Sequence, residues 1–228
     1  MKKIISYFLV FTISLLSLAF NASAKASNVY RKIDGCEKKI ALTFDDGPHP
    51  KITGEILEIL KEYEIVATFF VIGQNAKNYP DAMKLIAESG CEVGNHTYHH
   101  ENFRNMSLEE MKSEFEKCED ILKNSYSLNV TLARPPEGFC SDALYSVSDE
   151  LKYDIILWSI DTKDWAHTPA EDIVKNVLSN VKGGDIILMH DYLSGKNGTR
   201  EALRVIIPKL LGEGYEFVTV SELIECEA

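Results

Sequence analysis

The segment KIALTFDDGP (residues 39–48) contains the pattern that best predicts the fold of this chain. Residues 39–44 are rich in apolar, β-branched and aromatic side chains, which is typical of a short strand buried on both faces of a parallel sheet. The strand leads directly into Asp45, Asp46 and a Gly-Pro turn. Neighbouring residues on a strand point to opposite faces, so the two carboxylates are expected to act separately unless the turn redirects one of them. The alternative is an ordinary turn in which aspartate only favours the local backbone conformation.

Six more segments of this kind predict strands at residues 65–72, 91–95, 130–134, 154–160, 185–190 and 215–220. Amphipathic patterns between them predict helices at residues 52–63, 107–126, 168–181 and 199–214. Thr168 is the expected N-cap of the third helix, with Pro169 at its first position, and Pro208 is expected to kink or break the fourth. This alternation of strands and helices indicates parallel βαβ units.

Clusters of polar residues follow most of the predicted strands. DDGPHP, HTYHH, RPPEG, DTKDW and HD come after the first, third, fourth, fifth and sixth strands. The carboxyl ends of many strands converge on one point only if the strands form a ring, whereas an open doubly wound sheet gathers its site at one switch point. We therefore predict an α/β fold, an irregular (β/α) barrel of about seven parallel strands.

The N-terminal segment differs from the rest of the chain. Lys2 and Lys3 precede a long apolar run that ends in NASA, which is typical of a secretory signal peptide over residues 1–24. An uncleaved membrane anchor is the competing interpretation. Residues 25–37 are predicted to be a linker, and residues 38–225 a single domain.

The chain is acidic. Its formal net charge is −11, and removal of the signal segment, which holds two lysines and no acidic residue, changes that charge to −13. An acidic protein is poorly suited to bind nucleic acid or anionic membrane surfaces.

The five cysteines form no CxxC pair, which argues against a zinc finger. Cys36 and Cys226 lie near the two ends of the domain, and chain termini often lie close together, so a disulfide bond between them is one hypothesis. Buried thiols are an equal alternative. No pairing is predicted for Cys91, Cys118 or Cys140.

Three of the six histidines lie within the segment HTYHH, residues 96–100. His96 is three positions from His99 and four from His100, and either spacing puts two imidazoles on one face of a helical turn, where they could share a metal. A solvated polar loop is the alternative. His190 ends another apolar strand. A lone histidine is more often a satisfied core residue, but the polar clusters on the same predicted rim favour a functional role.

TFDDGP, HTYHH, RPPEG, DTKDW and LMH, in this order, resemble the five motifs of the NodB-type polysaccharide deacetylases, carbohydrate esterase family 4. The resemblance extends over residues 38–222, nearly all of the chain after the signal segment. It implies that residues 38–225 form a catalytic NodB homology domain.

The resemblance implies a role for each matching residue. Asp46, His96 and His100 would bind one divalent metal, with Zn²⁺ expected and Co²⁺, Ni²⁺ or Mn²⁺ as alternatives. Asp45 would be the general base, and Arg134 would pair with it and hold it in place.

The remaining motifs imply the acid and the substrate contacts. His190 would be the general acid, oriented by Asp161. Leu188 and Trp165 would line the pocket around the acetyl methyl, and the backbone N–H of Glu137 would stabilise the oxyanion. Relatives usually have an aromatic residue at the position of Glu137, so the groove beside it is expected to differ.

The function that follows is a secreted, metal-dependent N-deacetylase acting on N-acetylglucosamine units, with peptidoglycan as the expected polymer. We expect a monomer that works outside the cell or in the wall, without stable membrane insertion after cleavage. Chitin oligomers and acetylated xylan are alternatives within the same chemistry. A non-catalytic sugar-binding module on the same scaffold and a metal-dependent phosphoesterase are alternatives from other classes.

Overall fold

The computed structural model describes residues 28–192 and 198–227, so the predicted signal peptide lies outside the described residues. The strands are β1 (Val29–Tyr30), β2 (Lys39–Asp45), β3 (Thr68–Val71), β4 (Glu92–Asn95), β5 (Leu132–Ala133), β6 (Asp154–Ile156), β7 (Ile160–Asp161), β8 (Ile186–His190) and β9 (Glu216–Phe217). The helices are α1 (Ile52–Glu62), α2 (Gly73–Asn78), α3 (Pro80–Glu88), α4 (Leu108–Tyr126), α5 (Asp142–Leu151), α6 (Ala170–Asn180), α7 (Thr199–Gly212) and α8 (Val220–Ile224).

The strands pair in the order β1-β6-β5-β4-β3-β2-β8-β7, and β9 pairs with β2. All of these strand pairs are parallel. Parallel neighbours need crossover connections, which the helices provide. This topology confirms the prediction of an irregular (β/α) barrel.

One predicted strand, residues 154–160, is divided in two. Its first part is β6, which pairs with β5, and its second part is β7, which pairs with β8 on the far side of the strand order. Only residues 157–159 separate these two strands along the chain. The sheet must therefore curl until its two edges nearly meet, so the carboxyl ends of the strands form a ring.

Part of the segment predicted to be a linker belongs to the sheet. Val29 and Tyr30 form β1 and pair with Ile155 and Ile156 of β6. The prediction of a linker over residues 25–37 is wrong for this stretch, because its backbone hydrogen bonds are made to β6 rather than to water.

The structure corrects two details of the predicted helices, the N-cap at Thr168 and a break at Pro208. Thr168 does not cap α6: its hydroxyl donates to the Lys163 carbonyl, and the helix begins at Ala170. Pro208 does not interrupt α7, which continues to Gly212. Buried apolar residues on both sides of Pro208 hold that helix against the sheet and offset its missing hydrogen bond.

Successive side chains of β2 point alternately into the apolar core and into the interior of the barrel. Ile40, Leu42 and Phe44 face outward into the main apolar cluster between the sheet and the helices. Burial of each such side chain contributes about 1.5–3 kcal/mol. Thr43 and Asp45 face the interior of the barrel instead, which is where Arg134 contacts both of them.

Cys36 and Cys226 belong to the same smaller apolar cluster, which is consistent with chain ends that lie close together. The Cys36 thiol donates to the Leu223 carbonyl and the Cys226 thiol to the Glu222 carbonyl. A disulfide bond between these two cysteines stays a prediction. Within residues 28–192 and 198–227, no helix combines the length and the apolar character that crossing a membrane requires.

Candidate active site

Asp45 ends β2 inside the barrel and is paired with a fully buried arginine. Arg134 Nη1 lies 2.6 Å from Asp45 Oδ1 and also donates to the Thr43 hydroxyl. The rest of the guanidinium donates to the carbonyls of Ile156 and Leu157. Burial lowers the pKa of Arg134, and the Asp45 carboxylate partly offsets that effect. A guanidinium held on every side can fix the Asp45 carboxylate in one orientation.

Asp46 points to a different place from Asp45 because the chain turns between them. Asp46 has a φ of 75°, in the left-handed region, so the turn redirects its side chain. Asp46 Oδ1 lies 3.4 Å from His96 Nε2 and 3.4 Å from His100 Nε2. Burial raises the pKa of Asp46, but the neighbouring His96, His100 and His190 lower it overall.

These three residues fit a metal ion. Their ligand atoms all lie within 4.8 Å of one another. Asp46 Oδ1 is buried yet has no hydrogen-bond partner among the described residues. Two imidazole nitrogens and one carboxylate oxygen are a donor set that zinc and similar divalent ions accept, with a position left open.

The orientation of His96 supports this use. Its Nδ1 lies 2.7 Å from the Arg134 carbonyl, which can only accept, so Nδ1 carries the proton and Nε2 faces Asp46. Burial lowers the pKa of His96, but Asp45 and Asp46 raise it overall. Burial and the neighbouring His96 lower the pKa of His100.

The histidine segment is a loop and not the helical turn that the spacing suggested. Thr97 and His100 both have positive φ values, of 68° and 60°. The His100 N–H donates to the Thr97 hydroxyl, which fixes this conformation. His99 turns the other way: its Nδ1 and its backbone N–H each lie 2.8 Å from an oxygen of Glu114. His99 therefore lies outside the metal-binding group.

His190 is held by Asp164, and the prediction that Asp161 orients it is wrong. His190 Nδ1 lies 2.8 Å from Asp164 Oδ1. Asp161 ends β7 and accepts from the Lys163 N–H and the Trp165 indole N–H instead. The left-handed conformation of Lys163 brings Asp164, not Asp161, back over the barrel. Burial lowers the pKa of His190, but Asp164 outweighs that effect and raises it to about 9.

Comparison with known proteins gives a consistent result. The family model for polysaccharide deacetylases matches residues 32–156. A peptidoglycan-N-acetylglucosamine deacetylase of Bacillus cereus is 40% identical over 190 residues, which cover 82% of this chain and 89% of that protein. The crystal structure of a peptidoglycan N-acetylglucosamine deacetylase bound to a naphthyl N-oxidanyl-benzamide superposes with a TM-score of 0.84 at 35% identity, covering 90% of this chain and 96% of that one.

The chain belongs to the polysaccharide deacetylase family. This confirms the resemblance to the NodB-type enzymes of carbohydrate esterase family 4. It is a hydrolase of the class that cleaves N-acetyl amide bonds. The family also includes a pseudoenzyme from Bacillus anthracis, whose structure has a TM-score of 0.80 at 30% identity over 86% of this chain and 68% of that one.

The residues expected to contact substrate in a deacetylase lie around the same rim. Leu188 is buried and lies two residues before His190 on β8, so both side chains point to the same face. Trp165 is 52% exposed and is anchored by its indole N–H on Asp161. Glu137 has a φ of 56° in the turn after β5.

Two residues around this deacetylase site were not predicted from sequence. Asp164 lies in the same DTKDW cluster as Asp161, and strand alternation could not extend past the end of β7 to choose between them. Glu114 is buried on α4 and fixes the histidine loop through His99. A single acidic residue on a charged helix carries no sequence signal for that role.

Proposed function

We propose that this chain is a secreted, metal-dependent N-deacetylase that hydrolyses the acetamide of N-acetylglucosamine units in peptidoglycan. One observation carries the proposal: Asp45 and His190 are paired residues on the neighbouring strands β2 and β8, directly beside Asp46, His96 and His100. A base, an acid and a set of metal ligands thus converge at one end of the barrel.

The metal site would be formed by Asp46, His96 and His100, with Zn²⁺ as the proposed ion. A divalent cation held there supplies a Lewis acid that polarises the acetamide carbonyl and lowers the pKa of water. His96 is prepared for this use because its Nδ1–H is committed to the Arg134 carbonyl.

Asp45 is the proposed general base. Its Oδ1 is occupied by Arg134, whereas its Oδ2 faces the metal-binding group, 3.7 Å from His96 Nε2. A carboxylate held in this way can accept the proton of the attacking water because it lies within reach of that water. Arg134 keeps that carboxylate aimed while the proton moves.

His190 is the proposed general acid. An amine anion is a poor leaving group, so the sugar nitrogen must be protonated as the C–N bond breaks. Because Nδ1 of His190 is bonded to Asp164, Nε2 is the atom left to donate. With its pKa raised to about 9, the imidazole is protonated at neutral pH before substrate arrives. Water and acetamide are converted to acetate and a free amino sugar.

The negative oxygen formed during attack needs a donor besides the cation. The backbone N–H of Glu137 is the proposed donor, as part of a turn that is fixed by hydrogen bonds from Gly138 to Pro135 and from Phe139 to Pro136. Leu188 and Trp165 are the proposed walls of the acetyl pocket. Peptidoglycan is proposed as the polymer because the compared relatives named above act on it. We also propose that the protein is exported and that it is a monomer.

Acetyl release from defined glycans tests this function. Purified protein, loaded with Zn²⁺, is incubated side by side with peptidoglycan fragments, chitin oligomers and acetylated xylan, and loss of acetyl groups is followed by mass spectrometry. We expect deacetylation of peptidoglycan fragments and its loss in both Asp45→Asn and His190→Ala. Activity confined to chitin oligomers or to xylan would move the substrate assignment to those polymers.

A sugar-binding role without catalysis is the second candidate, since the family includes a pseudoenzyme. The complete set of base, acid and ligand residues favours the enzyme. Glycan binding with no acetate released from any of the three substrates would favour the binding module. Two metal ions per chain would instead revive the phosphoesterase alternative.

A further inference from the structure

Asp191 follows His190 directly and is completely buried, yet the proposed reaction gives it no part. Its Oδ2 accepts from the Thr53 hydroxyl at 2.5 Å, and that hydroxyl accepts from the His49 N–H at 2.7 Å. Burial raises the pKa of Asp191 to about 7, even though the hydrogen bond from Thr53 lowers it. Burying a carboxylate is unfavourable unless polar groups surround it, so its partners indicate what it holds.

The Asp191 carboxylate also contacts the turn that follows β2. Gly47 packs directly against the Asp191 carboxylate, whose Oδ1 has no hydrogen-bond partner among the described residues. The approach is so close that a Cβ on Gly47 would overlap both carboxylate oxygens. On the other edge of the same peptide unit, the Asp46 carbonyl accepts from Asn75 Nδ2 at 2.8 Å. The peptide between Asp46 and Gly47 is therefore hydrogen-bonded to Asn75 on one edge and packed against the Asp191 carboxylate on the other.

This peptide decides where the Asp46 side chain points. Asp46 has a φ of 75°, a conformation that residues other than glycine rarely adopt. The conformation brings Asp46 Oδ1 within 3.4 Å of both His96 and His100. Displacement of this peptide would allow the Asp46 backbone to leave that conformation and would move the carboxylate away from the histidines.

We propose that Asp191 is a positioning residue for the metal site, whose buried carboxylate holds the Asp46–Gly47 peptide and so keeps the Asp46 carboxylate facing His96 and His100. The inference rests on the proposed metal site but adds a residue that is not itself a ligand. Asp191 directly follows the strand that carries the proposed acid, and it acts through the backbone of the turn that carries the proposed metal ligand Asp46.

Zinc affinity is the direct measurement, because it needs neither substrate nor turnover. Purified protein is stripped of metal, and its Zn²⁺ affinity is measured by competition with a chromophoric chelator. We expect Asp191→Ala to weaken binding by about 10- to 100-fold, as loss of groups that orient ligands does elsewhere. Asp191→Asn, which keeps the volume and one acceptor oxygen, should recover most of the affinity.

Asp185 provides a matched control at the opposite end of β8. It is also a buried aspartate, and it bonds Lys32 and Ser159 far from the ligands. Asp185→Ala should reduce stability but keep wild-type zinc affinity. Unchanged affinity in folded Asp191→Ala overturns the inference, and so does an equal loss in Asp185→Ala, because the effect would then be general.

Two further variants keep the result interpretable. If Asp191→Ala does not fold, Thr53→Val removes the partner of Asp191 Oδ2 and should still weaken zinc binding, whereas wild-type affinity in that variant overturns the inference. Asp46→Ala tests the site itself. If Asp46→Ala still binds zinc tightly, the proposed metal site is wrong. If Asp46→Ala loses zinc binding but Asp191→Ala keeps wild-type affinity, the metal site stands and only the role of Asp191 is overturned.

Discussion

His190 and Asp164 are joined twice. The ring nitrogen Nδ1 lies 2.8 Å from Asp164 Oδ1, and the His190 backbone N–H donates to Asp164 Oδ2 at 2.9 Å. The Thr199 hydroxyl donates to the same Oδ2 at 2.7 Å. Asp164 is fully buried, so one carboxylate fixes both the position and the charge of the imidazole.

Removing the charge of Asp164 should therefore change how His190 titrates. In Asp164→Asn we expect the pKa of His190 to fall from about 9 toward its ordinary value of 6.5, as followed by NMR of the metal-free protein. The deacetylation rate should fall by about 10²- to 10⁴-fold, the usual contribution of a general acid. Asp161→Asn is the control and should leave the His190 pKa unchanged. A shifted His190 pKa in that control would restore Asp161 as its partner.

The same pair should make stability depend on pH. The folded-state pKa of His190, about 9, lies above the ordinary value of 6.5, so its stabilising contribution is complete below pH 6.5 and is lost as pH rises through 9. Urea unfolding of metal-free wild type and Asp164→Asn, measured below pH 6.5 and above pH 9, isolates this contribution. The difference in unfolding free energy between the two proteins should shrink as pH rises. A constant difference would mean that His190 gains no charge-dependent stability from Asp164.

Metal content should separate the three clustered histidines. His96→Ala and His100→Ala each remove a ligand atom from the group around Asp46 and should lose bound zinc after reconstitution and desalting. His99→Ala should keep most of its zinc, because the His99 ring is bonded to Glu114 instead. Elemental analysis of the three purified variants provides the measurement. Retained zinc in His100→Ala together with loss in His99→Ala would reverse the assignment.

The sequence was sufficient to predict the barrel because buried parallel strands produce apolar runs and polar clusters mark their carboxyl ends. Six of the seven predicted strands match one observed strand each, and the seventh is divided into β6 and β7. The two-residue β1 was missed because it is too short to show a periodic pattern.

Side-chain direction at the site could not be predicted in the same way. The backbone has positive φ values at four non-glycine residues of the site, and these values set the direction of the chain there: Asp46, Thr97, His100 and Lys163. Such conformations are set by tertiary hydrogen bonds and leave no local sequence signal. For this reason, histidine spacing could not show whether His99 or His100 joins His96 beside Asp46. Strand alternation likewise could not show whether Asp161 or Asp164 contacts His190.

Substitution of Glu137 tests whether its backbone N–H or its side chain takes part in catalysis. Its carboxylate is directed to Asn102 Nδ2, at 3.1 Å, in an exposed part of the rim. Glu137→Ala keeps the backbone N–H, so we expect kcat within about threefold of wild type, with any larger change confined to KM. Steady-state kinetics on a defined peptidoglycan fragment, with Asn102→Ala as the control for the lost contact, provides the measurement. A large fall in kcat in Glu137→Ala alone would assign the catalytic role to the carboxylate.

Arg134 should be as important for stability as for catalysis. It is completely buried, and Asp45 is its only carboxylate partner among its hydrogen-bonded neighbours in the described chain. Arg134→Met leaves that carboxylate buried without its cation, which typically costs about 3–5 kcal/mol of unfolding free energy. Adding Asp45→Asn to Arg134→Met removes the unpaired charge and should recover part of the loss, whereas Asp45→Asn alone should abolish deacetylation. Urea denaturation of the single and double variants gives the coupling free energy between Arg134 and Asp45. Strictly additive losses would show that the pair is not energetically linked, and Arg134 would then act only through its contacts with the Ile156 and Leu157 carbonyls.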